Sequence, residues 1–400
     1  MTDPRNNSIL FYWHDMWLPH SRFIVDSFDK LATDGRSIIL AGPAERSGAS
    51  AIFTVLGRKT RSTLNIACEY TDSYRFRDTV CRFREWRRLL KAYSPDIIFV
   101  ADEGMSVNTL LAGIANSLFG QGVLLFYGFE NIVQSTGWDS FLRTRTLSRL
   151  GVFLRKAARV LVLEKLLMPI RRRVVHGGLV SYEDCAQVVR SYKWDPLMRE
   201  CWWPIDVGTF TRSGAKKDLQ LKQGPVVGFV GRFVEEKGVL LLIEAAAMVG
   251  VDVRFVFVGD GPVRNEMERR IKSLGLSERC SIVPPLQAAE LAKFYRAIDL
   301  LVLPSMSTET WKEQFGRVLV EARCCGVKVA GSDSGAIPGV VRDRDNIFAE
   351  GSVSALGALI EKEVRRRGDS VEHPPAVGPE VFLETVCIVA GECRNAVARK

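Results

Sequence analysis

Two segments of this 400-residue sequence carry side chains whose types and spacing could do chemistry. The first is Gly228-Phe229-Val230-Gly231-Arg232-Phe233-Val234-Glu235-Glu236-Lys237-Gly238. An apolar run leads there into a glycine, an arginine, a lysine and a second glycine. Arg232 and Lys237 have the charge to neutralise a diphosphate, and Gly231 and Gly238 let a backbone approach closely. On these residues alone, a turn with solvated charges fits as well. The second segment opens at Pro304-Ser305 and runs through Glu313-Gln314-Phe315-Gly316-Arg317-Val318-Leu319-Val320-Glu321-Ala322. The break at Phe315-Gly316 predicts a helix that begins there. Glu313 would then sit on the loop before it, near first-turn N–H groups, which attract phosphate. A carboxylate beside such an anion site can contact neutral sugar hydroxyls. One two turns further on, as Glu321 is, can accept from a ribose. Two surface glutamates on an amphipathic helix are the plainer reading of the pair.

The elements that must position these segments alternate strand and helix, which predicts a parallel sheet flanked by helices. In the second half, strands are expected at Pro225 to Val230, Val253 to Val258, Ser281 to Val283, Leu300 to Leu303 and Val327 to Ala330. Helices are expected at Val239 to Met248, from Pro262 to about Leu274, at Ala288 to Ala297 and at Phe315 to Cys325. The Gly231 loop then lies at the carboxyl end of the sheet, where open α/β folds bind ligands. In the first half, strands are expected at Ser8 to Trp13, Ser37 to Ala41, Asp96 to Ala101, Val123 to Tyr127, Val160 to Leu163 and Gly178 to Val180. Helices are expected at Arg22 to Thr33 and Met105 to Phe119. A boundary is expected near Trp203 to Gly224, where Pro, Gly, Ser and Lys cluster. This predicts domains at 1–205 and 206–375, with a last helix at 376–400 beyond the Pro-rich stretch Glu372 to Pro379.

Composition bounds the function. Hydrophobic residues make up 47% and charged residues 25%, as expected of a globular chain with ample core. The nine cysteines are scattered and only four histidines are present, so no zinc site is expected. The polar start Met1-Thr2-Asp3-Pro4-Arg5 does not read as a secretory signal, and no apolar run approaches the roughly 18 residues of a membrane span. A cytoplasmic location is the expectation. Net charge is +9, and residues 1–200 hold 28 Lys/Arg against 20 Asp/Glu, so the excess lies in the first half. It gathers in Arg75 to Lys91 and Arg155 to Arg173. Such a surface can hold an anionic acceptor or anionic lipid, or it can be a solvated face. Arg82 to Lys91 reads as a basic amphipathic helix, a form that can lie on a membrane or simply cover a sheet. Nucleic acid is not an expected partner, because no RNA- or DNA-binding motif accompanies the charge.

The two segments together resemble the retaining glycosyltransferases of family 4, which have the GT-B fold. Gly231-Arg232 through Glu236-Lys237-Gly238 resembles their phosphate loop, and Glu313-Gln314-Phe315-Gly316 through Glu321 their paired-glutamate signature. Val256-Phe257-Val258-Gly259-Asp260-Gly261-Pro262 and Gly331-Ser332-Asp333-Ser334-Gly335-Ala336-Ile337-Pro338-Gly339 fit the same order. The likeness runs from about 226 to 341 and is diffuse before that. It implies an α/β fold of two Rossmann-like doubly wound domains facing across a cleft, with the C-terminal helix crossing back to the first. It implies a transferase that moves a hexose-type sugar from a UDP-, GDP- or dTDP-sugar to a hydroxyl acceptor, lipid-linked or anionic, with peripheral membrane contact through the basic half. Catalytic roles fall to Glu313, Arg232 and Lys237. Donor binding falls to Gly231, Arg232, Lys237, Gln314, Phe315, Gly316, Arg317 and Glu321. No metal or other cofactor is implied, since cationic side chains and a helix N-terminus do a metal's charge work. A sugar-phosphate synthase of the same fold and a non-catalytic nucleotide-sugar-binding protein remain open.

The sequence departs from that family in the first half. A glycine-rich turn after the first strand is replaced by His14-Asp15-Met16-Trp17-Leu18-Pro19-His20-Ser21-Arg22. A His-Gly pair is replaced by Tyr127-Gly128, followed by Phe129-Glu130-Asn131. No catalytic role carries over to Tyr127. Asp343-Arg344-Asp345 has the form of a metal-binding Asp-x-Asp motif but lies in a polar turn, where metal binding is not expected.

Overall fold

The structure is a computed structural model. It describes residues 8–13, 22–32, 37–43, 51–56, 62–66, 76–129, 167–219, 224–250, 252–309, 311–366 and 377–399. The chain divides into two compact units, Met1–Trp203 with Pro379–Lys400, and Pro204–Gly378.

The first unit is built on strands β1 (Ile9–Tyr12), β2 (Ile38–Pro43), β3 (Ala51–Leu56), β4 (Ser62–Ile66), β5 (Ile97–Val100), β6 (Val123–Gly128), β7 (Gly177–Val180) and β8 (Leu197–Glu200). They form one sheet in the order β4-β3-β2-β1-β5-β6-β7-β8. Six strands are parallel, and β3 and β4 add an antiparallel edge. β1, β5 and β6 are wholly buried and apolar, as strands covered on both faces must be.

The basic segment is indeed helical, spanning Phe76–Tyr93. Its apolar side is spent on the core: Trp86, Leu89 and Leu90 are buried with Tyr12, Val100 and Leu124. Arg84, Arg87, Arg88 and Lys91 face outward. The described apolar side chains of this helix therefore cover the sheet.

The final helix, Pro379–Ala398, belongs to the first unit. Phe382 from this helix packs edge-on against Phe11 and Phe99, and also meets Tyr127 and Trp203. Arg394 donates to the Asp96 carbonyl at 2.9 Å.

The second unit holds β9 (Val226–Val230), β10 (Arg254–Val258), β11 (Cys280–Val283), β12 (Leu300–Leu303), β13 (Lys328–Ser332) and β14 (Ile347–Phe348). All are parallel, in the order β11-β10-β9-β12-β13-β14. The direction of winding reverses between β9 and β12, so the carboxyl ends of these two strands open the crevice that doubly wound sheets use for ligands. Helices Val239–Met248, Arg264–Ser273, Ala288–Tyr295, Arg317–Cys324 and Val353–Arg365 cover the sheet. Among the described residues, no helix is long and apolar enough to cross a membrane. The expected strand at Val160 to Leu163 and linker at Glu372 to Pro379 fall largely or wholly outside the described residues.

Candidate active site

Three loops converge at the carboxyl ends of β9, β10 and β12. The chain leaves β9 at Val230, and Phe233 N–H donates to the Asp260 carbonyl at 2.8 Å, lacing the loop after β9 to the loop after β10. Gly259 and Gly261 have φ of +152° and +158°, and a Cβ on either would overlap the carbonyl oxygen of Gly231 or Phe233. Glu235–Lys237 forms a single 3₁₀ turn that ends on Gly238, φ +66°. A Cβ at Gly238 would overlap the Pro304 carbonyl oxygen, so this glycine brings the loop after β12 against the Lys237 turn. Met306 N–H donates to the Glu236 carbonyl at 2.8 Å and extends the same contact.

That approach joins two residues from the two sequence segments. Lys237 Nζ lies 2.6 Å from Glu313 Oε2, and Ser305 Oγ donates to the same oxygen at 2.8 Å. The Glu313 side chain is 7% exposed and that of Lys237 17%. The Lys237 ammonium also sits 5.1 Å from the ring centroid of Trp311. Pairing, hydroxyl donation and an aromatic cover explain how a carboxylate can stay buried here.

Glu321 lies further along the helix Arg317–Cys324, whose N-cap Gly316 is left-handed at φ +73°. Its carboxylate accepts from Arg317 Nε at 2.9 Å and from Tyr295 Oη at 3.1 Å. Burial pushes its pKa up, while Arg317 and the tyrosine hydroxyl pull it down. The helix starts where the sequence predicts, so Glu313 precedes it on a loop, with Gln314 exposed and Phe315 half-buried.

Arg232 stands apart. It is exposed, and no partner for its guanidinium is found among the described residues. It borders a pocket of about 220 Å³ lined by Val230, Gly231, Val258, Gly259, Asp260, Pro285, Leu286 and Leu291. The walls are largely apolar with a cation at the rim, a setting that suits a flat heterocycle attached to an anion. The predicted residues thus fall into three groups, Lys237 with Glu313, Arg317 with Glu321, and Arg232 with Gly231 at the pocket. Ser305, Trp311 and Tyr295 join these groups without being singled out by the sequence motifs. Ser305 and Trp311 lie in polar surroundings close to Glu313, which is a weak signal. Tyr295 reads as one more apolar position of a helix.

In the first unit, Tyr127 is fully committed to the core. Its hydroxyl donates to the Cys201 carbonyl and accepts from Ser181 Oγ, both at 3.0 Å, and its ring packs edge-on against Trp203. Burial pushes its pKa well above the ordinary value. Asp343 and Asp345 do not converge on a cation site. Asp343 caps its own turn at the Asp345 N–H, 3.0 Å away, and Asp345 pairs with Lys362. His14 to Ser21, Glu130 and Asn131 lie outside the described residues.

Residues 212–371 match the family "Glycosyl transferases group 1". The D-inositol 3-phosphate glycosyltransferase of Mycobacterium sp. (strain KMS) is 36% identical over 171 residues, 40% of this chain and 37% of that protein. The protein of the same name from Nocardia farcinica (strain IFM 10152) is 34% identical over 174 residues, 39% and 37% of the two chains. The chain thus matches little more than a third of the length of either relative. Across nearly the whole chain, a glycosyltransferase from Rickettsia africae ESF-5 superposes with TM-score 0.64 at 13% identity, covering 98% of this chain and 97% of the other. HepE from Anabaena, crystallised with UDP and glucose, gives 0.59 at 14% identity, covering 98% and 100%. At such identities the structures speak to fold, and the fold is the GT-B class expected from the sequence.

Proposed function

We propose that this chain, whose residues 212–371 match the family of group 1 glycosyl transferases, is a retaining glycosyltransferase that moves a hexose-type sugar from a nucleotide sugar to a hydroxyl acceptor. The observation that carries this reading is the Lys237–Glu313 pair, a cation and a carboxylate held 2.6 Å apart beside the start of the helix Arg317–Cys324. A nucleotide sugar needs both charges at neighbouring points, a cation for the diphosphate and an acceptor for sugar hydroxyls.

In this reading the heterocycle occupies the pocket beside Arg232, and Glu321 accepts from the ribose. Arg232 and Lys237 hold the diphosphate and stabilise the charge that builds on the leaving oxygen, each such hydrogen bond contributing ~1.5–3 kcal/mol. The charge work is assigned to these cations and the helix N-terminus, with no metal. Glu313 binds the transferred sugar, and a donor phosphate oxygen takes the acceptor's proton. The UDP and glucose bound by HepE favour a UDP-sugar, and the relatives named for inositol 3-phosphate favour an anionic polyol acceptor.

The test is turnover of UDP-, GDP-, ADP- and dTDP-sugars by purified protein with and without an acceptor panel. Glu313→Ala and Lys237→Ala are expected to abolish measurable transfer. Unaltered turnover in both variants overturns the proposal. Donor binding without turnover on any acceptor would assign a nucleotide-sugar-binding role instead.

A further inference from the structure

Glu321 is a buried carboxylate with two side-chain partners. Among the described residues its two oxygens receive one hydrogen bond each, from Arg317 Nε at Oε1 and from Tyr295 Oη at Oε2. A carboxylate oxygen has two acceptor positions, so one remains on each oxygen. A carboxylate with one open acceptor on each oxygen can meet two hydroxyls on neighbouring carbons.

The two donors differ in kind. Tyr295 is fully buried, its ring packs 5.9 Å from that of Phe210, and its hydroxyl donates to Glu321. Arg317 is at the first position of its helix, and its side chain is 39% exposed. The tyrosine side is therefore closed, and the arginine side is the more exposed of the two. A phenol has two torsions and little freedom once its ring is packed, so Tyr295 can fix the rotamer of Glu321 at small entropic cost.

We infer that Tyr295 is a positioning residue for donor recognition: its hydroxyl holds Glu321 so that the carboxylate presents one acceptor position on each oxygen to the vicinal 2′,3′-diol of a ribonucleotide. The inference rests on the reading of Glu321 given under the proposed function. It commits the donor to a ribonucleoside diphosphate and disfavours a 2′-deoxy donor such as a dTDP-sugar.

The experiment is calorimetric titration of UDP, ADP and GDP and their 2′-deoxy forms into the wild-type protein, Tyr295→Phe, Glu321→Gln and the double variant. The wild type is expected to prefer the ribo form of the nucleotide it binds by tenfold or more, on the scale of one hydrogen bond to a charged group. Tyr295→Phe keeps the ring and removes only the donor. It should weaken the ribo form by about tenfold, leave the deoxy form nearly unchanged, and bring the ratio toward one. In the Glu321→Gln background the same substitution should add nothing, because the tyrosine acts through the carboxylate. Should Tyr295→Phe fail to fold, Tyr295→His restores a donor and should recover part of the ratio. An unchanged ratio in Tyr295→Phe, or equal losses in both backgrounds, overturns the inference while leaving the donor site standing. Failure of the wild type to bind any of the nucleotides overturns both.

Discussion

Lys237 and Glu313 are 76 residues apart in the chain and share a 2.6 Å contact. Sequence motifs assign them to different parts of a donor, the diphosphate and the sugar. In the folded protein they are one electrostatic unit, closed by Ser305 and covered by Trp311.

Removing the cation should therefore do more than delete a phosphate contact. Lys237→Ala strands a buried carboxylate beside the proposed diphosphate site, and UDP affinity is expected to fall about 10- to 100-fold. Adding Glu313→Gln removes the stranded charge and should recover part of that loss. Calorimetry on the single and double variants decides the matter. If the double variant binds UDP no better than Lys237→Ala, the two residues do not act as a unit.

Gly238 sets the junction between the two loops. Gly238→Ala must place a side chain at φ +66° and against the Pro304 carbonyl. A loss on the order of 3 kcal/mol is expected, or roughly 5–10 °C in melting temperature, with loss of donor binding. Gly351 provides the control, since it has φ +76° with nothing within 4 Å of the added Cβ. Gly351→Ala should cost about 1 kcal/mol. Equal melting temperatures for the two variants would contradict a packed junction at Gly238.

The basic helix Phe76–Tyr93 makes a prediction about its two faces. Trp86 is 1% exposed and donates from Nε1 to Asn108 Oδ1 at 3.1 Å. Trp86→Ala is expected to cost about 3–5 kcal/mol, as for an aromatic removed from a core. Replacing Arg84, Arg87, Arg88 and Lys91 by Gln should leave stability within about 0.5 kcal/mol per site. Chemical denaturation distinguishes the two, and a mild Trp86 variant would argue for an apolar face turned outward.

Glu85 on the same helix is 3% exposed, and burial lifts its pKa to about 7 despite the nearby Arg82 guanidinium. The folded state holds its proton more tightly than the unfolded chain does. Stability on this account is greatest below the unfolded pKa and declines as pH rises toward 7, reaching its full cost above that. Glu85→Gln removes the cost, so it should stabilise by up to about 3 kcal/mol at pH 8 and by much less at pH 5. Thermal melts at the two pH values test the sign. A variant less stable at pH 8 than the parent would show that the ionised carboxylate is well paired.

Much of the second unit was legible because its strands are buried on both faces. Val226–Val230, Arg254–Val258 and Leu300–Leu303 stand out as near-continuous apolar runs between turn residues. The left-handed Gly238 and Gly316 mark the ends of loops that carry the charged residues, and both could be read as glycines before a helix. The antiparallel pair Ala51–Leu56 and Ser62–Ile66 was missed. So was the two-residue strand Ile347–Phe348, too short to leave a pattern. The partners inside the site were beyond a linear reading. Nothing local distinguishes Tyr295, which meets Glu321 across 26 residues, from its buried neighbour Phe294. The pairing of Lys237 with Glu313 is likewise a product of the fold.

The final helix has a consequence for how this protein is made. Phe382, Leu383, Val386 and Val389 are wholly buried, and Phe382 joins the aromatic cluster around Phe11 and Phe99. Pro204–Gly378, by contrast, is contiguous in the chain. A released chain ending before residue 379 would thus hold a complete second unit and an N-terminal sheet with an open seam. Premature termination there should be seen by chaperones and proteases as a defect at the start of the protein.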